Sequence, residues 1–134
     1  MREIKIYSDG GSRGNPGQGA VGFVVYEDEK VIYKKGEKIG HCTNNEAEYQ
    51  AVLKALSYVE GEISGCRIDF FLDSELVVKQ LNGEYKVKDE KLKPLFLKIR
   101  EMVITRGGLV LFSHVKREKN KLADSLVNLA LDSK

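Results

Sequence analysis

Residues 43–72 read TNNEAEYQAVLKALSYVEGEISGCRIDFFL, and the spacing of their apolar residues changes within the stretch. Ala47, Ala51, Val52, Ala55, Leu56 and Val59 recur three and four apart, which predicts one face of a helix. Thr43 and Glu46 open it as a capping box, with the hydroxyl capping the first turn and the carboxylate reaching back. Gly61 and Gly65 are expected to end it. Ile68 to Leu72 then forms a short apolar run, read as a buried strand. A strand reached through a long helix pairs in parallel with an earlier one.

The flanks complete the pattern. Upstream, Ile4 to Ser8, Val21 to Tyr26 and Val31 to Ile39 read as strands, with the glycine-rich residues 10–19 as a turn. Their short connections make an antiparallel meander. Downstream, Ser74 to Leu81 predicts a short helix closed by Asn82-Gly83. Leu92 to Val103 predicts another, with Pro94 in its first turn and Gly107-Gly108 as its stop. Leu109 to Val115 reads as a strand. Asn120 can cap a last helix bearing Leu122, Ala123, Leu126, Leu129 and Ala130. The order βββαβααβα predicts an α/β fold over a single domain, residues 1–134. Its mixed five-stranded sheet has three antiparallel strands plus parallel crossover strands and is flanked by helices.

Composition narrows the function classes. No apolar run reaches the length of a membrane span, and the N-terminus lacks a signal-peptide pattern, so a cytoplasmic protein with no membrane association is expected. Cys42 and Cys66 are too few for a disulfide scaffold or a four-cysteine zinc site, and read as buried thiols. Net charge is +2, unevenly spread. Residues 84–121 carry 11 Lys/Arg against 5 Asp/Glu, and the remainder carries 11 against 15. A basic segment attracts polyanions, although a solvated lysine-rich face has the same composition.

Four acids fall at element boundaries. Asp9 ends the first strand and Asp73 the fourth, so parallel neighbours would release both carboxylates at one sheet edge, the usual ligand edge of open α/β sheets. Glu48 and Asp124 each sit four residues after an asparagine, Asn44 and Asn120, near a helix start. Taken singly, each acid fits an ordinary surface or capping role. Gathered together, they would repel and raise one another's pKa unless divalent cations neutralised them. Oxygen-only ligation suits Mg²⁺ or Mn²⁺, and two such ions about 4 Å apart can clamp the attacking and leaving oxygens of a phosphodiester.

These motifs carry a resemblance. Asp9-Gly10-Gly11-Ser12-Arg13-Gly14-Asn15-Pro16-Gly17, Thr43-Asn44-Asn45-Glu46-Ala47-Glu48, Leu72-Asp73-Ser74 and Asn120-Lys121-Leu122-Ala123-Asp124 resemble, in order, the motifs of type 1 ribonuclease H. The resemblance implies a metal-dependent endonuclease that cuts the RNA strand of RNA/DNA hybrids and leaves 5′-phosphate and 3′-hydroxyl ends. It makes Asp9, Glu48, Asp73 and Asp124 the catalytic tetrad that binds two Mg²⁺ or Mn²⁺ ions, with Asp9 bridging them. It places Asn15, Asn44 and Asn45 against the hybrid, Thr43 on a phosphate, and the backbone of Gly10, Gly11 and Ser12 near the RNA 2′-hydroxyls. Glu75 stands where many relatives carry Gln. The resemblance implies an RNA/DNA hybrid as partner, with double-stranded RNA as the alternative, and the protein is expected to be a monomer.

Two departures stand out. The basic protrusion of many bacterial members is absent. Only Asn82 to Glu90 fills its place, and the chain has no Trp, which leaves Lys86, Lys88, Lys116, Arg117 and Lys119 to grip the hybrid. The loop before Asp124 is short and carries no His, and Arg117 or Glu118 stands where relatives place one. Gly17-Gln18-Gly19-Ala20-Val21-Gly22 fits GxGxxG, but a strand follows rather than a helix, so no dinucleotide site is expected. His114 reads as a satisfied strand-end histidine, and Leu92, Leu95, Phe96, Ile99 and Val103 as core. A related nuclease of broader substrate range and a non-catalytic hybrid-binding module are the competing readings. The presence of all four acids opposes the second.

Overall fold

The computed structural model describes residues 2–62, 65–106 and 109–133. In chain order the elements are β1 (Arg2–Arg13), β2 (Gly17–Glu27), β3 (Lys30–Cys42), α1 (Asn44–Glu62), β4 (Cys66–Leu72), α2 (Glu75–Leu81), α3 (Lys93–Thr105), β5 (Val110–His114) and α4 (Lys121–Asp132). A 3₁₀ turn, Arg117–Lys119, precedes α4. The sheet order is β3-β2-β1-β4-β5. β1–β2 and β2–β3 pair antiparallel, whereas β1–β4 and β4–β5 pair parallel, as the long α1 crossover predicts.

Alternation along the strands splits the sheet into two faces. Ile4, Ile6, Phe23, Val25, Ile68, Phe70 and Leu72 turn toward the helical layer of α1 and form the core with Val52, Leu56 and Val59. Each such burial contributes about 1.5–3 kcal/mol. The buried Tyr49 hydroxyl donates to Gln80 Oε1 at 2.6 Å and ties α1 to α2. On the opposite face α4 packs against β2, β3 and β1. Its approach is close: a Cβ on Gly22 would lie 2.5 Å from the Ala123 carbonyl oxygen, and one on Gly36 2.5 Å from that of Leu126. Among the described residues no helix is long and apolar enough to cross a membrane.

Several boundaries differ from the expected ones. Residues 10–19 are largely strand rather than turn: β1 runs on to Arg13, β2 begins at Gly17, and Gly10 pairs with Val21. Gly10, Gly17 and Gly19 there allow close packing that a side chain would block. α1 passes through Gly61 and ends at Glu62; Gly65, at φ +65°, lies beyond it. Asn120 precedes α4 without a side-chain cap: its Nδ2 donates to the Ser8 carbonyl, which turns its Oδ1 away from the N–H groups of the helix. β4 is buried on one face only, with Arg67 exposed and Asp69 and Phe71 partly so. Leu92, just before α3, and Ile99 within it are buried, while Leu95, Phe96 and Val103 are only partly covered. His114 is exposed. The expected stop at Gly107-Gly108 lies outside the described residues. Both cysteines are buried free thiols, and the GxGxxG stretch lies in β2.

Candidate active site

The β1–β4 pairing ends at Tyr7 opposite Phe71. Two residues further along each chain come Asp9 and Asp73, at the edge where pairing switches from antiparallel to parallel. Beyond Leu72 the strand β1 has no neighbour on that side, so its backbone groups need other partners. Gly10 N–H donates to Glu48 Oε1 at 2.6 Å, and the Ser8 carbonyl accepts from Asn120 Nδ2 at 2.9 Å. The open edge of β1 thereby recruits α1 and the start of α4 to one place.

Gly10 lets α1 in. A Cβ there would lie 2.2 Å from the carbonyl carbon of Ala47 and 2.5 Å from the Glu48 nitrogen. The capping box fixes the start of that helix: Thr43 Oγ1 accepts from Glu46 N–H at 3.1 Å, and Glu46 Oε1 accepts from Thr43 N–H at 3.0 Å. Asp124 lies in the first turn of α4, where Asn128 Nδ2 donates to its Oδ2 at 3.4 Å. Asn120 Nδ2 also reaches Asp73 Oδ2 at 3.5 Å.

One oxygen each of Asp9, Glu48 and Asp73 lie within 4.8 Å of one another. Asp124 lines the same cleft, near enough for its charge to act on Asp9. Asp9 is 7% exposed and Glu48 6%. Burial, then the charge of Asp73, then a hydrogen bond that the protonated Asp9 carboxyl donates to Asp124 push Asp9 up to about 7. Burial followed by the charges of Asp9 and Asp73 holds Glu48 well above its ordinary range. Among the described residues none of the four is ion-paired to a lysine or arginine. Buried, crowded and unpaired carboxylates are costly by themselves, and an all-oxygen donor set of this kind fits a hard divalent cation.

The cleft over these acids has a volume of about 380 Å³, and its walls include Gly10, Gly11, Ser12, Asn44, Asn45 and Arg117. Asn15 and Thr43 lie outside the walls and support them: Asn15 Oδ1 accepts from Asn44 N–H at 2.9 Å, and Asn44 Oδ1 accepts from Ser12 N–H at 2.8 Å. Glu75, the first residue of α2, is exposed and ion-paired with Lys79 at 3.1 Å; its neighbour Ser74 lines the cleft instead. Lys86 lies apart from the acids, in a groove of about 390 Å³ with Tyr85, Val87, Phe96 and Leu97. Lys88 is exposed in the segment before α3. Sequence reading missed the bonds of Asn120 to Ser8 and Asp73, and that of Asn128 to Asp124. The second had a signal, the four-residue spacing on one helix face. The first had none.

Comparison with known proteins agrees with this geometry. A family model described as Reverse transcriptase-like matches residues 7–130. Ribonuclease HI of Halobacterium salinarum is 39% identical over 130 residues, covering 96% of this chain and 64% of that protein. The chain thus spans about two thirds of that relative's length. Ribonuclease H of Helicobacter acinonychis is 31% identical, with 96% of this chain and 93% of that protein covered. The structure of LC11-RNase H1, isolated from compost, superposes with a TM-score of 0.93 at 40% identity, covering 98% of this chain and 97% of that one. The same protein in complex with an RNA/DNA hybrid matches with a TM-score of 0.91 over 96% of each chain. On its motifs, its fold and these relatives, the chain belongs to the ribonuclease HI family.

Proposed function

We propose that the protein is an endonuclease that hydrolyses the RNA strand of RNA/DNA hybrids with two Mg²⁺ or Mn²⁺ ions, leaving 5′-phosphate and 3′-hydroxyl ends. The observation that carries this is the convergence of Asp9, Glu48 and Asp73, with Asp124 in the same cleft, none of the four being ion-paired to a lysine or arginine among the described residues. The relative caught with a hybrid supports the choice of substrate. Residues 1–134 would act as one domain, as a monomer in the cytoplasm.

The four acids would hold the ions. When bound, divalent ions supply the positive charge that stabilises both the attacking water and the leaving oxygen of a phosphodiester. The chain's own residues do the positioning. Glu48 is aimed by its bond from Gly10, Asp73 by Asn120, and Asp124 by Asn128. Asn44 shapes the cleft wall through Ser12, and Asn45 and Arg117 present polar groups to a backbone lying over the acids. Gly11 leaves the floor open: a Cβ there would meet only Val127 Cγ1 at 3.8 Å and Asn44 Oδ1 at 3.9 Å. Internal packing therefore does not demand its missing side chain, whereas a ligand approaching the backbone does.

The test uses a labelled RNA/DNA hybrid with Mg²⁺ or Mn²⁺, beside duplex RNA and duplex DNA, and Asp9→Asn as control. Wild type is expected to cut the RNA strand and the variant to lose that activity. Equal cleavage by both sinks the metal mechanism. Cleavage of duplex DNA but not hybrid sinks the substrate assignment, and cleavage of duplex RNA widens it.

A further inference from the structure

The sheet face below the acids carries a second cavity that the hydrolytic reading does not use. Lys5 and Tyr7 share one face of β1 with Asp9, and the register sets Lys5 opposite Asp69 and Tyr7 opposite Phe71 on β4. Two residues beyond the end of that ladder come Asp9 and Asp73. Tyr7 stacks on Phe71 with ring centres 4.9 Å apart and 23° between planes, and Tyr26 meets Tyr7 edge-on at 5.6 Å. A cavity of about 320 Å³ opens here, lined in part by Lys5, Tyr7, Tyr26, Glu29, Lys119 and Asn120. α4 packs on β2, β3 and β1, and the patch runs on to Leu111 of β5, which is 48% exposed.

The charges around this aromatic patch suit an anion. Lys5 and Lys119 line it against the single acid Glu29, while Asp69 is engaged by Arg67 at 3.3 Å. One basic turn connects it to the acid cleft. In the 3₁₀ turn Arg117–Lys119, Arg117 lines the cleft and Lys119 lines the aromatic cavity, with Lys116 and Lys121 on either side. Along β1, Lys5 and Asp9 are four residues apart, about 13 Å of extended chain, so a strand leaving the cleft reaches the patch within a few nucleotides.

We propose that this face is a stacking platform for unpaired nucleotides continuous with a duplex in the acid cleft, with bases on Tyr7 and Tyr26 and phosphates on Lys5 and Lys119. The proposal rests on the cleft being a nucleic-acid site. Aromatic rings on an open sheet accept any base, and lysine–phosphate contacts make the binding salt-dependent. The face would thus favour hybrids that end in a single-stranded overhang.

Two measurements separate this idea from the catalytic one. The first is fluorescence anisotropy of labelled single-stranded oligo(dT) with Mg²⁺, for wild type, Lys5→Glu and Tyr7→Leu. Lys5 is exposed, so its substitution tests the face without threatening the fold, and circular dichroism checks Tyr7→Leu. Each variant is expected to weaken binding roughly tenfold, and Lys5→Glu to flatten the salt dependence. Since the chain has six Tyr and no Trp, its intrinsic fluorescence should also fall on binding, and fall less in Tyr7→Leu. The second compares cleavage of blunt and overhanging hybrids. An overhang should lower KM severalfold in wild type and not in Lys5→Glu, with blunt-hybrid cleavage equal in the two. Oligo(dT) affinity unchanged by both variants overturns the platform, whatever the hybrid assay shows. Failure to cut a blunt hybrid overturns the catalytic reading and leaves the anisotropy result to decide the platform alone.

Discussion

Gly10 and Gly11 are adjacent glycines with different reasons to be glycine. At Gly10 any side chain would strike the backbone of α1, 2.2 Å away, whereas at Gly11 the nearest atom is 3.8 Å off. Gly11→Ala should therefore leave the melting temperature nearly unchanged while raising KM for a hybrid, which thermal denaturation and steady-state kinetics would show. A loss of several degrees instead would mean that the residue serves packing. Glu48→Gln offers a second contrast. The amide oxygen can still accept from Gly10, but one charge leaves a buried, mutually repelling cluster. The metal-free variant is expected to melt about 3–5 °C above wild type at pH 8, the effect of roughly 1 kcal/mol in a domain of this size. Hybrid cleavage should be lost at the same time. A lower melting point would show that the charge is better tolerated than its burial implies.

At the level of elements, the site depends on how closely helices can approach the sheet. α4 brings Asp124 to Asp9 only because β2 and β3 present Gly22 and Gly36 beneath it. Gly22→Ala places a Cβ 2.5 Å from the Ala123 carbonyl, so the helix must shift. The expected result is a loss of about 1–3 kcal/mol by denaturant titration, with a fall in cleavage larger than the stability loss explains. Retained activity would mean that Asp124 tolerates displacement. Thr43→Ala is the milder probe. It removes one bond of the capping box at the start of α1 and should cost about 1 kcal/mol with the four acids still in place.

For the whole molecule, the acid cluster couples stability to pH and to metal. Asp9 and Glu48 titrate above their ordinary values when folded. A carboxyl raised in this way stabilises the fold fully below its unfolded pKa, and that contribution is lost as pH rises through the folded value. The window for Asp9 runs from about 4 to about 7. In EDTA the melting temperature should be higher at pH 5 than at pH 8 by at least about 5 °C, given about 1.4 kcal/mol per pKa unit. Mg²⁺ should remove most of that difference at pH 8 by replacing protons with charge. A metal-free melting temperature that rises with pH would contradict the cluster's electrostatics.

Periodicity was enough to read the order of strands and helices, the parallel crossover through α1 and the capping box at Thr43, because each depends on residues close in the chain. The four acids were legible as a set through their motifs, and the expected strand ends at Asp9 and Asp73 implied a shared edge, although β1 runs four residues past Asp9 and only its pairing with β4 stops, at Tyr7. Folding alone decided what holds them there. Asn120, an expected helix cap, instead bonds Ser8 and Asp73, because β1 outruns β4 and leaves a carbonyl that needs a donor. The glycine-rich stretch looked like a turn yet continues two strands, since the chains packed against it forbid side chains at Gly10 and Gly19. The apolar run of β4 looked buried throughout, yet α4 leaves Phe71 only partly covered. Local spacing determines which elements form. Which backbone groups lack partners, and which faces stay uncovered, is settled only when distant segments meet, because both are properties of the space between elements.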